Sequence, residues 1–237
     1  EPTGALYGIS AMLMKIVTDL KPDYVVACYD LPQKTFRHEA YEAYKGTRTK
    51  ADDALVAQIK SSRRIFEAFD IPMYDAPGFE ADDIIGAIVE HMSAEERAHI
   101  DTIIASGDMD TLQLVDDSRV RVFTLKKGLN DTVMYDEKAV NERFGFGPKL
   151  LPDYKGLRGD PSDNIIGIAG IGEKTATDLI RQFGTIENIY KTIKKDEAAV
   201  LAVVKPRILE LLKNGEEEAI FSKTLATIRR DAPISFA

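Results

Sequence analysis

One cysteine, Cys28, is too few for an internal disulfide or a thiolate zinc site, so a reducing, intracellular setting is expected. The three histidines, His38, His91 and His99, show no metal-ligand spacing. No apolar run approaches the ~18–20 residues of a membrane span, and neither a secretory leader pattern nor a repeat or low-complexity tract is visible. An excess of positive charge is also missing: 31 Lys and Arg stand against 39 Asp and Glu, a net charge of -8. Nucleic-acid binders usually carry a basic footprint, so this balance argues against that class. The exclusion holds only if the acids are evenly spread, and they are not.

At 237 residues the chain has room for one large domain or two smaller ones, and it can bury a core without staples. It opens without a methionine, on a helical pattern over residues 3–20 in which Leu6, Ile9, Leu13, Ile16 and Leu20 share a face. "DYVVACYD" and "IDTIIAS" read as buried strands and "IPMYDAPG" as a short strand with a turn. Residues 51–69 and 80–92 read as helices, and "GDMDTLQLV" as a turn into a helix. "VRVFTL" and "DTVMYD" bracket "KKGLN" as a hairpin. Strands alternating with helices predict an α/β layer fold around a mostly parallel central sheet. From about residue 150 the pattern is helical, with "SKTLATIRR" open between a helix end and a strand. The expected division is an α/β core over 1–149 and a helical region over 150–237.

Acids recur where strands hand over to loops or helices: Asp30; Glu80, Asp82 and Asp83; Asp108 and Asp110; Asp160 and Asp163. In an open α/β sheet the functional crevice lies beyond the carboxyl ends of the strands. Convergence there would make a strongly negative pocket, since two carboxylates ~4 Å apart repel by ~4 kcal/mol at an effective dielectric of about 20. Oxygen-only ligands favour hard cations, Mg²⁺ or Mn²⁺. Removing these eight leaves 39 − 8 = 31 acids against 31 bases, so the whole excess of negative charge equals that one set. Singly, each cluster has a plainer reading as a helix N-terminus, cap or turn; it is their conjunction that favours metal.

Between residues 34 and 64 the balance reverses, with eight Lys or Arg, four acids and the interleaved aromatics Phe36, Tyr41 and Tyr44. Aromatics beside cations suit single-stranded nucleic acid, although a solvated amphipathic segment has the same composition. "GIAGIGEKTATDL" sets Gly170 and Gly172 directly before a helix, followed by Lys174 and Thr175. Glycines admit close approach and a helix N-terminus offers free N–H groups to phosphate. A dinucleotide fingerprint is a poor fit, because no strand precedes the glycines. A helix-hairpin-helix gripping duplex phosphates fits better, and a plain helix-helix turn is the bland alternative.

In "FRHEAYEAYKGTR", "GFEADDIIG", "SGDMDTLQL", "GLRGDPSDNIIGIAGIGEKTA" and "LATIRRDAPISF", in this order, the chain resembles the 5′ nuclease family of flap endonucleases, including the 5′→3′ exonuclease domain of bacterial DNA polymerase I. The resemblance implies a PIN/resolvase-like core with a helix-three-turn-helix, and a phosphodiesterase using two Mg²⁺ or Mn²⁺ ions. It matches Asp30, Glu80, Asp82, Asp83, Asp108, Asp110, Asp160 and Asp163 to the metal carboxylates. It matches residues 36–60 to a helical arch, Lys45 and Arg48 to a basic pair at the scissile phosphate, Arg37 to a phosphate contact and Tyr44 to a base stack. Gly170, Gly172, Lys174 and Thr175 match the duplex-binding hairpin, where K⁺ often sits. The implied partner is DNA with a 5′ flap, nick or single-strand/duplex junction, in the bacterial cytoplasm at the nucleoid, with a polymerase domain a possible continuation. A family strand carrying a further aspartate is expected before the first helix. A junction-binding module that does not cut and a PIN-like ribonuclease are the competing readings.

Overall fold

The structure is a computed structural model describing residues 2–92, 99–116, 119–127 and 131–235. Helix α1 (Gly4–Leu20) ends at Lys21, which turns left-handed at φ 47°. Its Leu13 packs with Ala27 and Ile71, and with Ile65 and Phe66 of α3 (Asp53–Ala68). Helix α3 starts where the Asp52 carboxylate accepts the Leu55 N–H at 2.7 Å, an ordinary N-cap. Between them lie β1 (Ala27–Cys28) and the short α2 (Phe36–Ala40).

The strands form two small sheets where the sequence predicts one. β1 pairs in parallel with β2 (Met73–Tyr74). β3 (Thr102–Ala105) pairs in parallel with β4 (Val120–Lys127), which continues antiparallel into β5 (Asp131–Tyr135). Residues 128–130 of the expected hairpin loop lie outside the described residues. Among the described residues no strand pairs with both β1 and β3, so the halves are joined by packing instead. Helix α4 (Ala81–His91) contacts β1 and also the 3-10 turn Met109–Leu114, burying Ile84, Ala87 and Ile88. That turn replaces the helix expected in "GDMDTLQLV".

Helix α5 (Glu137–Phe144) is capped by Asp136 and closed by Gly145 at φ 81°. Then come α6 (Leu151–Arg158), α7 (Glu173–Phe183), α8 (Ile186–Lys195), α9 (Glu197–Leu201), α10 (Pro206–Asn214) and α11 (Glu216–Ala226). "SKTLATIRR" is therefore a helix end. The main core is continuous across both halves of the chain, joining Leu112 and Val122 to Leu157, Ile180, Ile186 and Leu212. Each fully buried side chain of this kind contributes about 1.5–3 kcal/mol. After α11 the chain returns to α4 so closely that a Cβ on Gly86 would lie 2.6 Å from the Arg229 carbonyl oxygen, which requires glycine there.

Candidate active site

The strand-end acids sit on rigid element termini. Asp30, two residues beyond β1, accepts the Ala81 N–H at 2.8 Å, which docks β1 onto the start of α4. Glu80 is the N-cap of α4 and forms a capping box with Asp83, while Asp82 lies in the first turn between them. Asp108 caps the 3-10 turn by accepting the Asp110 N–H at 2.9 Å. Asp160 and Asp163 follow α6 through Gly159 at φ 79°, where a Cβ would stand 2.4 Å from the Ile166 carbonyl oxygen. The local roles that each acid has in the sequence, as cap or turn former, are thus real and coexist with clustering.

The eight acids divide into two groups. In the first, Asp83 is fully buried and receives two Arg37 N–H bonds at 2.8 Å, and the Glu80 and Arg229 backbone N–H groups as well. Glu80 takes a further Arg37 bond at 3.2 Å and the Lys45 ammonium at 2.8 Å. Asp163 is paired with Arg48 at 2.5 Å and lies 3.0 Å from the Tyr44 hydroxyl, which is also 3.1 Å from Glu80. Lys45 adopts a left-handed φ of 55°, its N–H donating to the Asp163 carbonyl at 2.9 Å, and Asn164 beside it has φ 57°. Such backbone costs about 1–3 kcal/mol where a non-glycine residue holds it.

In the second group, Asp30, Asp82, Asp108, Asp110 and Asp160 face one another with fewer cations. Burial first, then the charges of Asp108, Asp110, Asp30 and Glu80, push the Asp82 carboxyl up to about 7. Burial, offset in part by Lys155 and reinforced by Asp108, pushes Asp110 up to about 6. Lys155 bridges Asp110 and Asp160, at 2.5 Å from the latter. Burial pulls its pKa down, but the two carboxylates hold it above the ordinary lysine value. Burial and Asp82 raise the nearby Cys28 thiol to about 12, which leaves it unreactive.

A groove of about 500 Å³ is lined by Asp108, Asp110 and Asp160 of this second group. Its donors, carboxylate oxygens, are of the kind a hard divalent cation takes. Among the described residues no three acids, histidines or cysteines stand close enough to hold one ion as the side chains lie, and Lys155 stands between Asp110 and Asp160.

Three expectations are corrected. Tyr44 is 3% exposed and its hydroxyl is taken up by carboxylates, so it presents no face to a base. Arg37 is likewise 3% exposed, with its nitrogens on Asp83, Glu80 and the Leu225 and Thr227 carbonyls, so it is a structural counter-ion and not a phosphate contact. For the same reason Asp83 has no free oxygen for metal. Residues 36–60 form α2, a run of turns and the start of α3. Gly170, Gly172 and Lys174 are exposed at the loop entering α7, with Thr175 half-buried.

Profiles of the 5′-3′ exonuclease N-terminal resolvase-like domain and of its C-terminal SAM fold match residues 1–145 and 146–237. This chain belongs to the 5′-3′ exonuclease family. The DNA polymerase I of Bacillus caldotenax is 41% identical over 235 residues, 99% of this chain and 26% of that protein. The chain thus spans about a quarter of the length of the curated relatives it matches. The fold matches T5 5′-exonuclease with bound zinc at TM-score 0.75 and 22% identity, covering 95% of this chain and 81% of that one. It matches a bacteriophage T5 flap endonuclease in complex with DNA and metal ions at 0.74 and 22%, with the same coverage. Across this exonuclease fold, Lys155 is the site residue that sequence reasoning missed. A signal was present, since it is the lone cation in the middle of α6, whose Leu151, Pro152, Asp153, Tyr154, Gly156 and Leu157 are all buried.

Proposed function

We propose that this chain hydrolyses DNA or RNA-primer phosphodiesters at 5′ ends, flaps and nicks with the help of divalent ions, as the nuclease portion of a DNA polymerase I-like protein acting in the bacterial cytoplasm. One observation carries the reading: the mutual repulsion of Asp82, Asp108, Asp110 and Asp30, which Lys155 offsets only at Asp110, next to a groove lined by Asp108 and Asp110, while neighbouring acids are paired. Asp30, Asp82, Asp108, Asp110 and Asp160 would hold two Mg²⁺ or Mn²⁺ ions, with Glu80 and Asp163 fixing the cations at the rim. The chemistry supplied by such ions is Lewis-acid polarisation of the phosphodiester and a lowered pKa for water. Lys45 and Arg48, presented by a left-handed turn, stabilise charge growing on the scissile phosphate. Lys155 holds Asp110 and Asp160 apart from each other's charge until the ions enter. Gly170, Gly172, Lys174 and Thr175 grip duplex phosphates at the start of α7 in a helix-three-turn-helix, with K⁺ in its turn.

A second reading, junction binding without cleavage, is favoured by the Lys155 bridge across two of the required acids. The test sets 5′-flap DNA, nicked DNA and single-stranded RNA against the chain with Mg²⁺, Mn²⁺ or EDTA. The nuclease reading expects cleavage of the flap to 5′-phosphorylated products, abolished by EDTA and reduced by at least about 100-fold in Asp82→Asn and Asp108→Asn. Flap binding with no cutting under any metal supports the second reading, and preferential RNA cleavage supports a ribonuclease.

A further inference from the structure

We infer that Arg143 anchors a phosphate of the DNA duplex in this groove, an inference that rests on the nuclease reading above. Three cations line the groove: Arg48, Lys155 and Arg143. Arg48 is committed to Asp163 and the Ser162 carbonyl, and Lys155 to Asp110 and Asp160. Among the described residues Arg143 has no carboxylate at ion-pair distance; its contacts are neutral. One guanidinium nitrogen donates to the Tyr135 hydroxyl at 2.5 Å, and its carbon stands 5.4 Å from the Phe144 ring centroid and 5.7 Å from that of Tyr135.

This environment fixes the side chain without cancelling its charge. A phosphodiester approaching Asp108, Asp110 and Asp160 meets repulsion, and a cation with no carboxylate partner offsets it more fully than one whose charge is shared with an acid. A braced, uncompensated guanidinium offers a two-pronged donor to phosphate oxygens, and the bracing lowers the entropy cost of binding. The position favours the duplex over the free strand. Two residues on from Arg143, a Cβ at Gly145 would lie 3.0 Å from the Arg181 side chain in the last turn of α7, so the end of α5 lies beside the far end of the helix whose N-terminus is assigned above to duplex phosphates. A basic residue in the last turn of α5 also complements the helix dipole, a role that lysine fills equally well.

The experiment measures equilibrium binding of the 237-residue chain by anisotropy, with Ca²⁺ present and KCl varied. The probes are a 5′-flap DNA, the same duplex without the flap, and the flap strand alone. Arg143→Gln is expected to weaken flap and duplex binding about tenfold, to reduce the salt slope by about 1, and to leave the single strand unchanged. Arg143→Lys recovers part of the salt slope but not the full affinity. Lys138→Gln, an exposed charge loss on the same helix, changes none of these. Should Arg143→Gln not fold, Tyr135→Phe removes only the brace and is expected to weaken duplex binding about threefold. Wild-type affinity and salt slope in Arg143→Gln, or a loss confined to the single strand, overturns the inference alone. A wild-type chain that binds no DNA overturns the nuclease reading and this inference together.

Discussion

Two sets of carboxylates stand at the ends of the same few elements and differ in who neutralises them. Glu80, Asp83 and Asp163 are matched by Arg37, Lys45, Arg48 and the Tyr44 hydroxyl, all supplied by the chain. Asp30, Asp82, Asp108, Asp110 and Asp160 share one internal cation, Lys155. The first set welds α2, α4 and the end of α11 into one body, since Arg37 alone bonds Asp83, Leu225 and Thr227. The second set keeps a repulsion that Lys155 offsets only in part. Acids of identical chemistry and equal motif quality are thus set apart by the cations placed against them.

The sharpest way to break that contrast is to remove one cation from the first set. Arg37→Met leaves Asp83 buried and uncompensated, and losing one partner of a buried pair costs about 3–5 kcal/mol. Urea unfolding of the metal-free chain is expected to show that loss, with Tm down by about 10 °C. Asp82→Asn is expected to move the other way, raising metal-free stability by about 1 kcal/mol because it removes a repelled charge. A neutral Arg37→Met beside a destabilised Asp82→Asn would reverse the assignment of the two sets.

Removing the cation of the second set tests whether it is replaceable. Lys155→Met leaves Asp110 and Asp160 facing each other, at an expected cost of about 2–4 kcal/mol without metal. Unlike Arg37→Met, this variant is expected to regain most of its Tm in millimolar Mg²⁺, because a divalent ion substitutes for the lost charge. Thermal melts with and without Mg²⁺ decide it. Equal recovery in both variants would show that the ion binds elsewhere.

Much of this was legible in residue order. The strand-helix alternation, the helical second half and the eight acids at element ends follow from periodicity and from where Asp and Glu stand. What sequence could not give was pairing. "FRHEAYEAYKGTR" offers Arg37, Lys45 and Arg48 as equivalent surface cations, yet Arg37 points inward because α2 is short and lies under the segment after α11. Tyr44 looked like a stacking aromatic for the same reason, its burial depending on Glu80 and Asp163, 36 and 119 residues away. The sheet was over-read because the run around β1 is apolar over six residues, 24–29, but pairs over only two. Apolarity marks burial, whereas strand length depends on a neighbour.

A change of pH separates the sets without any substitution. In the folded chain Asp82 titrates at about 7 and Asp110 at about 6, against about 3.9 in an unfolded chain. Between these values the folded state binds more protons, so the stability these two groups contribute is fully present below about 3.9 and is lost as pH rises through 6 and 7. The expected loss is about 4 kcal/mol, or about 10 °C in Tm, between pH 5 and pH 8 without metal. Asp160, which Lys155 holds below the ordinary value against the effect of burial, acts in the opposite direction and only at lower pH, so it stays out of this window. Mg²⁺ favours the ionised carboxylates and is expected to flatten the curve, as is Asp82→Asn without metal. A metal-free Tm that climbs from pH 5 to pH 8 would mean that these acids are already compensated by the protein, and the groove would lose its claim on a cation.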